Sequence, residues 1–138
     1  KVADIGCGTG ILTLAAKHLW PDAFVIGGDM DAPSVDTAIE NAVKNKMATL
    51  PFVTAAGTQH EDILNNAPYD LIIANILAAP LIELAPEMCE AMAKDGRMIL
   101  SGLLIRQEDE VIAAYEAQGL KCIDRINRDE WSALTLAR

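Results

Sequence analysis

Apolar positions along this chain come as two kinds of run that alternate. Short continuous runs, Val2-Ala3, Ala23 to Ile26, Phe52 to Ala56 and Leu71 to Ala74, have the length of strands buried in a parallel sheet. Between them lie segments with helical spacing. Ile11 to Leu19 predicts a first helix, stopped by Trp20-Pro21. Val35, Ala38, Ile39, Ala42 and Val43 predict one apolar face of a second. A further helix is expected from about Pro80, broken or kinked at Pro86. Asp95-Gly96 then reads as a turn into a strand over Arg97 to Ser101. Val111, Ile112 and Tyr115 mark another helix, closed by Gly119 and opened by the acidic turn Gln107-Glu108-Asp109-Glu110. Leu120 to Ile126 and Trp131 to Ala137 read as two final strands. Repeated βα units ending in a strand pair predict a doubly wound α/β sheet of seven strands. Lys1 to Ile5 is short for a central strand, so the chain is expected to enter that strand midway.

Composition narrows this little. The chain has 138 residues, 51% of them hydrophobic, enough for one domain with a true core, and no linker or repeat divides it. No apolar run approaches the roughly 20 residues of a membrane span, and no segment reads as a signal peptide. The net charge of −9 argues against a grip on nucleic acid and would draw in a basic protein instead. The three cysteines, Cys7, Cys89 and Cys122, are scattered and odd in number. They point to a reducing, cytoplasmic setting and to neither a disulfide framework nor a metal site.

The chemistry concentrates at Asp4-Ile5-Gly6-Cys7-Gly8-Thr9-Gly10, a glycine turn between the first strand and the first helix. Such a turn brings a ligand against bare backbone amides. Asp4, two residues before the first glycine, would repel a pyrophosphate and attract an ammonium or sulfonium. The turn therefore suits S-adenosylmethionine better than a nicotinamide dinucleotide. Asp29 ends the second strand about twenty residues on, the spacing of a carboxylate that grips ribose hydroxyls. Beside it Gly28 leaves the backbone open, and Met30 can lie flat on an adenine. Asp31, ahead of Ala32-Pro33, reads as a helix cap. Asn75 stands at the carboxyl end of its strand, where open α/β sheets present their ligands. Its carboxamide could accept a hydrogen bond from an amine, with the carbonyls of Ile76 or Leu77 as a second acceptor. His18 and His60 lack partners for base catalysis, and Trp131 reads as core rather than as a substrate platform.

The motifs D-I-G-C-G-T-G, G-G-D-M-D and A-N-I-L-A-A-P-L, with Leu100-Ser101-Gly102-Leu103-Leu104 and the Glu130-Trp131 pair, resemble class I methyltransferases. Within them the chain is most similar to the family that methylates protein eleven of the large ribosomal subunit. Gly28 and Ala79 depart from that family's pattern, where an aliphatic residue and a glycine are expected. The resemblance implies a Rossmann-like sheet, mostly parallel with one antiparallel strand near the C-terminus. It implies S-adenosylmethionine as methyl donor and S-adenosylhomocysteine as product. It also implies that the loop after the third strand passes the adenine, making Gly57, Thr58 and Asp62 candidate contacts. The acceptor would be a lysine or terminal amine of a ribosomal protein. Residues 1–138 would then be the cofactor-binding catalytic domain, with a helix and a substrate-recognition domain upstream. The same glycine and acid motifs also suit methylation of RNA or a small amine, or a non-catalytic dinucleotide-binding module.

Overall fold

The computed structural model describes residues 1–138. Its strands are β1 (Val2–Ile5), β2 (Val25–Asp29), β3 (Phe52–Thr54), β4 (Tyr69–Asn75), β5 (Met92–Leu104), β6 (Lys121–Arg128) and β7 (Trp131–Ala137). The helices are α1 (Ile11–Leu19), α2 (Ala32–Lys44), α3 (Glu61–Asn66), α4 (Ala78–Glu83), α5 (Ala85–Ala91) and α6 (Glu108–Glu116). One sheet runs in the order β3-β2-β1-β4-β5-β7-β6. β7 is antiparallel to both its neighbours, and the other pairings are parallel. The single antiparallel strand is therefore β7.

The chain's first strand, buried along its whole length, lies inside this sheet between β2 and β4. Winding goes outward through β2 and β3, then returns to the other side of β1 with β4. That reversal opens a crevice at the carboxyl ends of β1 and β4, the usual ligand position in such sheets. Side chains alternate across the sheet. Ile72, Ala74, Met98, Leu100, Leu134 and Leu136 point into the larger core, where they meet Leu81, Met88, Val111 and Tyr115 of α4, α5 and α6. Two tyrosines pin helices within it: Tyr69 donates to Ile63 O at 2.7 Å, and Tyr115 donates to Leu81 O at 2.9 Å. Val2, Ala16, Val25 and Leu50 form a smaller cluster on the opposite face.

Five elements differ from the sequence expectation. Gly27 and Gly28 lie inside β2, because parallel pairing with β1 and β3 carries the strand through to Asp29. The segment after His60 forms α3, with the imidazole Nδ1 accepting from Asp62 N–H at 3.1 Å as an N-cap. The helix after β4 begins two residues earlier than expected, at Ala78, and breaks at Leu84, with α5 starting at Ala85 beside Pro86. Asp95-Gly96 is no terminal turn but part of a bulge within β5, opposite the step from Tyr69 to Leu71. In α2, Val35, Ala38 and Ala42 are buried whereas Ile39 and Val43 are exposed, because the helix meets the sheet along a narrow stripe.

The start of α2 is capped as its sequence predicts. Asp31 Oδ2 accepts from Ser34 N–H at 3.0 Å and from Ser34 Oγ–H at 2.7 Å. Asp31→Ala is expected to lower stability by about 0.5–2 kcal/mol. Urea unfolding measures this, and an unshifted midpoint would mean the cap contributes nothing.

Candidate active site

The glycine turn is built by close approaches that a side chain would block. Gly6 N–H and Cys7 N–H both donate to Gly28 O, at 2.8 and 3.0 Å, so the turn folds back over the end of β2. At Gly6 φ is +74°, and a Cβ there would lie 2.3 Å from Ile76 Cγ2. Asp29 fastens the turn from the other side: Oδ2 accepts from Gly8 N–H at 2.8 Å and Oδ1 from Asp31 N–H at 2.9 Å. Asn41 of α2 donates to Thr9 O at 3.0 Å. Gly28 does not leave open space as its sequence suggests, since a Cβ there would come 2.9 Å from Ile63 Cδ1 of α3. Met30 stands beside Asp29 with 78% of its surface exposed, a flexible apolar side chain with little cover. Burial pushes the Cys7 thiol up to about 12, with the charges of Asp4 and Asp29 adding to the effect. Cys7 therefore contributes shape and no charge.

Asp4 carries the unusual electrostatics. It is buried at 1% exposure, and its Oδ2 accepts from Thr13 Oγ1–H at 2.6 Å. Its Oδ1 has no partner. Burial raises the carboxyl to about 6, against the pull of the Thr13 hydrogen bonds and with a further push from Asp29. A buried acceptor without a donor is costly, and a donor or cation brought to it recovers that cost. A bound ammonium or sulfonium fits this requirement, whereas a pyrophosphate would worsen it.

The second half of the site lies at the ends of β4 and β5. Ile76 N–H donates to Ser101 O at 3.1 Å, joining the two strand ends. Gly102, at φ +85°, has no side chain to collide with Ile76 O, which lies 2.4 Å from where its Cβ would be. The same position lies 3.0 Å from Asn75 Oδ1. Leu77 O accepts the first α4 hydrogen bond, from Leu81 N–H at 3.1 Å, while no backbone donor takes Ile76 O. Asn75, Ile76, Leu77, Ser101, Gly102 and Trp131 line one cavity of about 490 Å³. Trp131 is thus not core. It is 53% exposed at the start of β7, where the inward positions are taken by Ser132, Leu134 and Leu136. Neither Ser101, Gly102 nor Trp131 stood out as a site residue in the sequence. The only signal was the similarity of their two short motifs to a family. A larger cavity, about 520 Å³, opens by Trp20 and Asp70 at the opposite ends of the strands and carries none of these groups.

Gly57 and Thr58 are held by α5. Thr58 is buried, its N–H donates to Glu87 Oε1 at 2.8 Å, and Gln59 Nε2–H donates to Glu87 Oε2 at 2.9 Å. Asp62 is exposed on the first turn of α3. Asp4, the glycine turn, Asp29 and Asn75-Ile76 are brought together; the contacts of Gly57, Thr58 and Asp62 run to α5 and to His60.

A central β1 with its glycine turn, an acid ending β2 and one antiparallel strand beside β5 make this a class I methyltransferase fold. Solved methyltransferases share that fold at low sequence identity, among them a precorrin-6y C5,15-methyltransferase from Geobacter metallireducens (TM-score 0.81, 14% identity, covering 99% of this chain and 78% of that one). The family profile described as ribosomal protein L11 methyltransferase (PrmA) matches residues 1–138, and the chain belongs to that family. It is 49% identical over 138 residues to the ribosomal protein L11 methyltransferase of Caulobacter sp. (strain K31), covering 100% of this chain and 47% of the relative. The Brucella suis (strain ATCC 23445 / NCTC 10510) protein of the same name is 43% identical over 134 residues, with 96% and 47% covered. A solved ribosomal protein L11 methylase from Lactobacillus delbrueckii subsp. bulgaricus superposes with a TM-score of 0.91 at 29% identity, covering 99% of this chain and 69% of that one. The chain spans about half the length of the curated relatives it matches.

The buried carboxyl gives stability a pH dependence. Asp4 titrates near 3.8 when unfolded and near 6 when folded, so the fold favours its protonated form. That contribution is complete below pH 3.8 and is lost as pH rises through about 6. The loss amounts to about 3 kcal/mol at most, at ~1.4 kcal/mol per unit. Asp4→Asn is expected to exceed the parent in stability by about 1–3 kcal/mol near pH 7.5. The difference should close towards pH 4. Unfolding across that range tests this, and a variant less stable than the parent near pH 7.5 would refute it.

Proposed function

We propose that this chain binds S-adenosylmethionine and places it for methyl transfer to an amine of a large-subunit ribosomal protein, in the cytoplasm. The observation that carries the reading is the Ile76 bridge. Its side chain packs on Gly6 of the cofactor turn while its carbonyl approaches Gly102 in the Asn75 cavity. Asp29 would hold the ribose hydroxyls with lone pairs left over from its two backbone hydrogen bonds. Met30 would cover the adenine, and the buried Asp4 carboxyl would add negative potential beneath the positive end of the ligand. The bound donor supplies an electrophilic methyl group on a sulfonium, so no metal or covalent nucleophile is needed.

What remains is to present a neutral amine in line. A lysine amine has a reference pKa of about 10.4. Desolvation and a neighbouring positive charge both favour its neutral form. No carboxylate lines the cavity, so nothing there fixes the amine as an ammonium. Asn75 Oδ1 and Ile76 O can each accept one amine N–H, leaving the lone pair to point at the methyl. Acceptor binding then draws on the parts of the relatives beyond the matched half, while the acidic surface steers a basic partner inward. The unpaired Cys7, Cys89 and Cys122 suit a reducing compartment.

Calorimetry with S-adenosylhomocysteine tests the cofactor half, with NAD as the control that should not bind. Asp29→Ala should weaken S-adenosylhomocysteine binding about tenfold or more, since a hydrogen bond to a charged group contributes roughly 1.5–3 kcal/mol. Unchanged affinity in a folded variant would remove Asp29 from the site. Asn75→Ala should leave that affinity intact and reduce methyl incorporation into the ribosomal protein by about tenfold or more. Incorporation at the parent rate would mean that Asn75 does not engage the acceptor.

A further inference from the structure

We infer that Glu87 is a positioning residue for base selectivity, clamping the turn after β3 so that its backbone reads adenine. The inference rests on the proposed binding of S-adenosylmethionine with Asp29 at the ribose. The order β3-β2-β1 puts Asp29 between the glycine turn and the end of β3. Thr54 pairs with Asp29, and Ala55 N–H donates to Asp29 O at 2.8 Å. A nucleoside held there by its ribose, with its sulfonium towards the glycine turn, directs its base towards β3 and the turn that follows.

Beyond Ala55 that turn is held from α5. Glu87 is half-buried on the first turn of the helix, and its two oxygens accept from Thr58 N–H at 2.8 Å and from Gln59 Nε2–H at 2.9 Å. Gly57 makes the fit close: a Cβ there would collide with Glu87 Oε1 and come 2.6 Å from Leu84 Cδ2. Gln59 N–H is taken by Ala56 O at 3.1 Å, whereas the N–H groups of Ala56 and Gly57 and the carbonyls of Ala55 and Gly57 have no partner. The turn thus keeps backbone donors and acceptors for a ligand. Adenine presents an acceptor at N1 and a donor at its 6-amino group, and hypoxanthine inverts both. A rigid turn that matches one base leaves unpaired groups against the other, while a loose turn rearranges to suit either. Glu87, with both oxygens on the turn, acts through it.

The test compares S-adenosylhomocysteine with S-inosylhomocysteine by calorimetry. The parent should prefer the adenine ligand by about tenfold or more. Glu87→Ala should lower that preference to within about threefold of equality, and Glu87→Gln, which keeps one acceptor for Thr58 N–H, should retain most of it. Gly57→Ala, which displaces Glu87 Oε1, should match Glu87→Ala and carries the test if that variant does not fold. Hydrogen exchange at the Thr58 amide reads the clamp without a ligand, and it should be faster in Glu87→Ala than in the parent. A Glu87→Ala variant that weakens both ligands equally would leave Glu87 a merely structural role and overturn the inference. A parent without preference, or unchanged Thr58 exchange, would do the same. Should the parent bind neither ligand, the cofactor reading falls and takes this inference with it. Binding of S-adenosylhomocysteine with an unchanged preference sinks this inference alone.

Discussion

The contact between Ile76 and Gly6 is the constraint on which the rest of this molecule depends. A methyl group of Ile76 occupies the space where any side chain at position 6 would begin. It joins the turn after β1 to the end of β4, across the point where the winding of the sheet reverses. The Ile76 side chain thus lies at the carboxyl ends of β1 and β4, where such sheets leave a crevice. The same residue extends the arrangement to β5, because Gly102 admits the Ile76 carbonyl. Two glycines far apart in sequence thus make room for opposite ends of one isoleucine.

Around that contact the charges are arranged unevenly. Asp29 is satisfied by two backbone N–H groups and stiffens the turn before any ligand arrives. Asp4 is half satisfied, with one oxygen on Thr13 and the other buried alone. The first carboxylate is held by backbone donors, and the second costs the fold stability because its buried oxygen has none. The cavity at the ends of β4 and β5 has no carboxylate in its lining, and its polar groups are carbonyl, carboxamide and hydroxyl.

Much of this was legible in the chain. Short apolar runs marked the buried parallel strands because a strand covered on both faces has no polar side to show. The bounds of α1, the Asp31 cap and the position of Asp29 followed from local chemistry: helix spacing, a side-chain oxygen before a proline, a turn of fixed length. Elements whose existence depends on neighbours did not show. α3 has one buried residue, Ile63, and packs where Gly28 lacks a side chain. Ile39 and Val43 share a helix face with buried residues but lie outside the narrow stripe that meets the sheet. The bulges of β5 are set by pairing with β4 and β7, and no spacing within β5 records them.

The sequence by itself determined the fold class, through apolar runs that alternate along the whole chain, and the glycine turn with its partner Asp29, which lie within one βαβ stretch. The tertiary structure alone decided that Asp4 has an oxygen with no partner, and that Ile76 couples the cofactor turn to a cavity. It also decided that Trp131 faces solvent rather than core. Those three facts depend on which side chains meet across strands β1, β4, β5 and β7. Residues 4, 76, 102 and 131 are neighbours only once the winding reversal has brought β4 beside β1 and the antiparallel return has set β7 against β5.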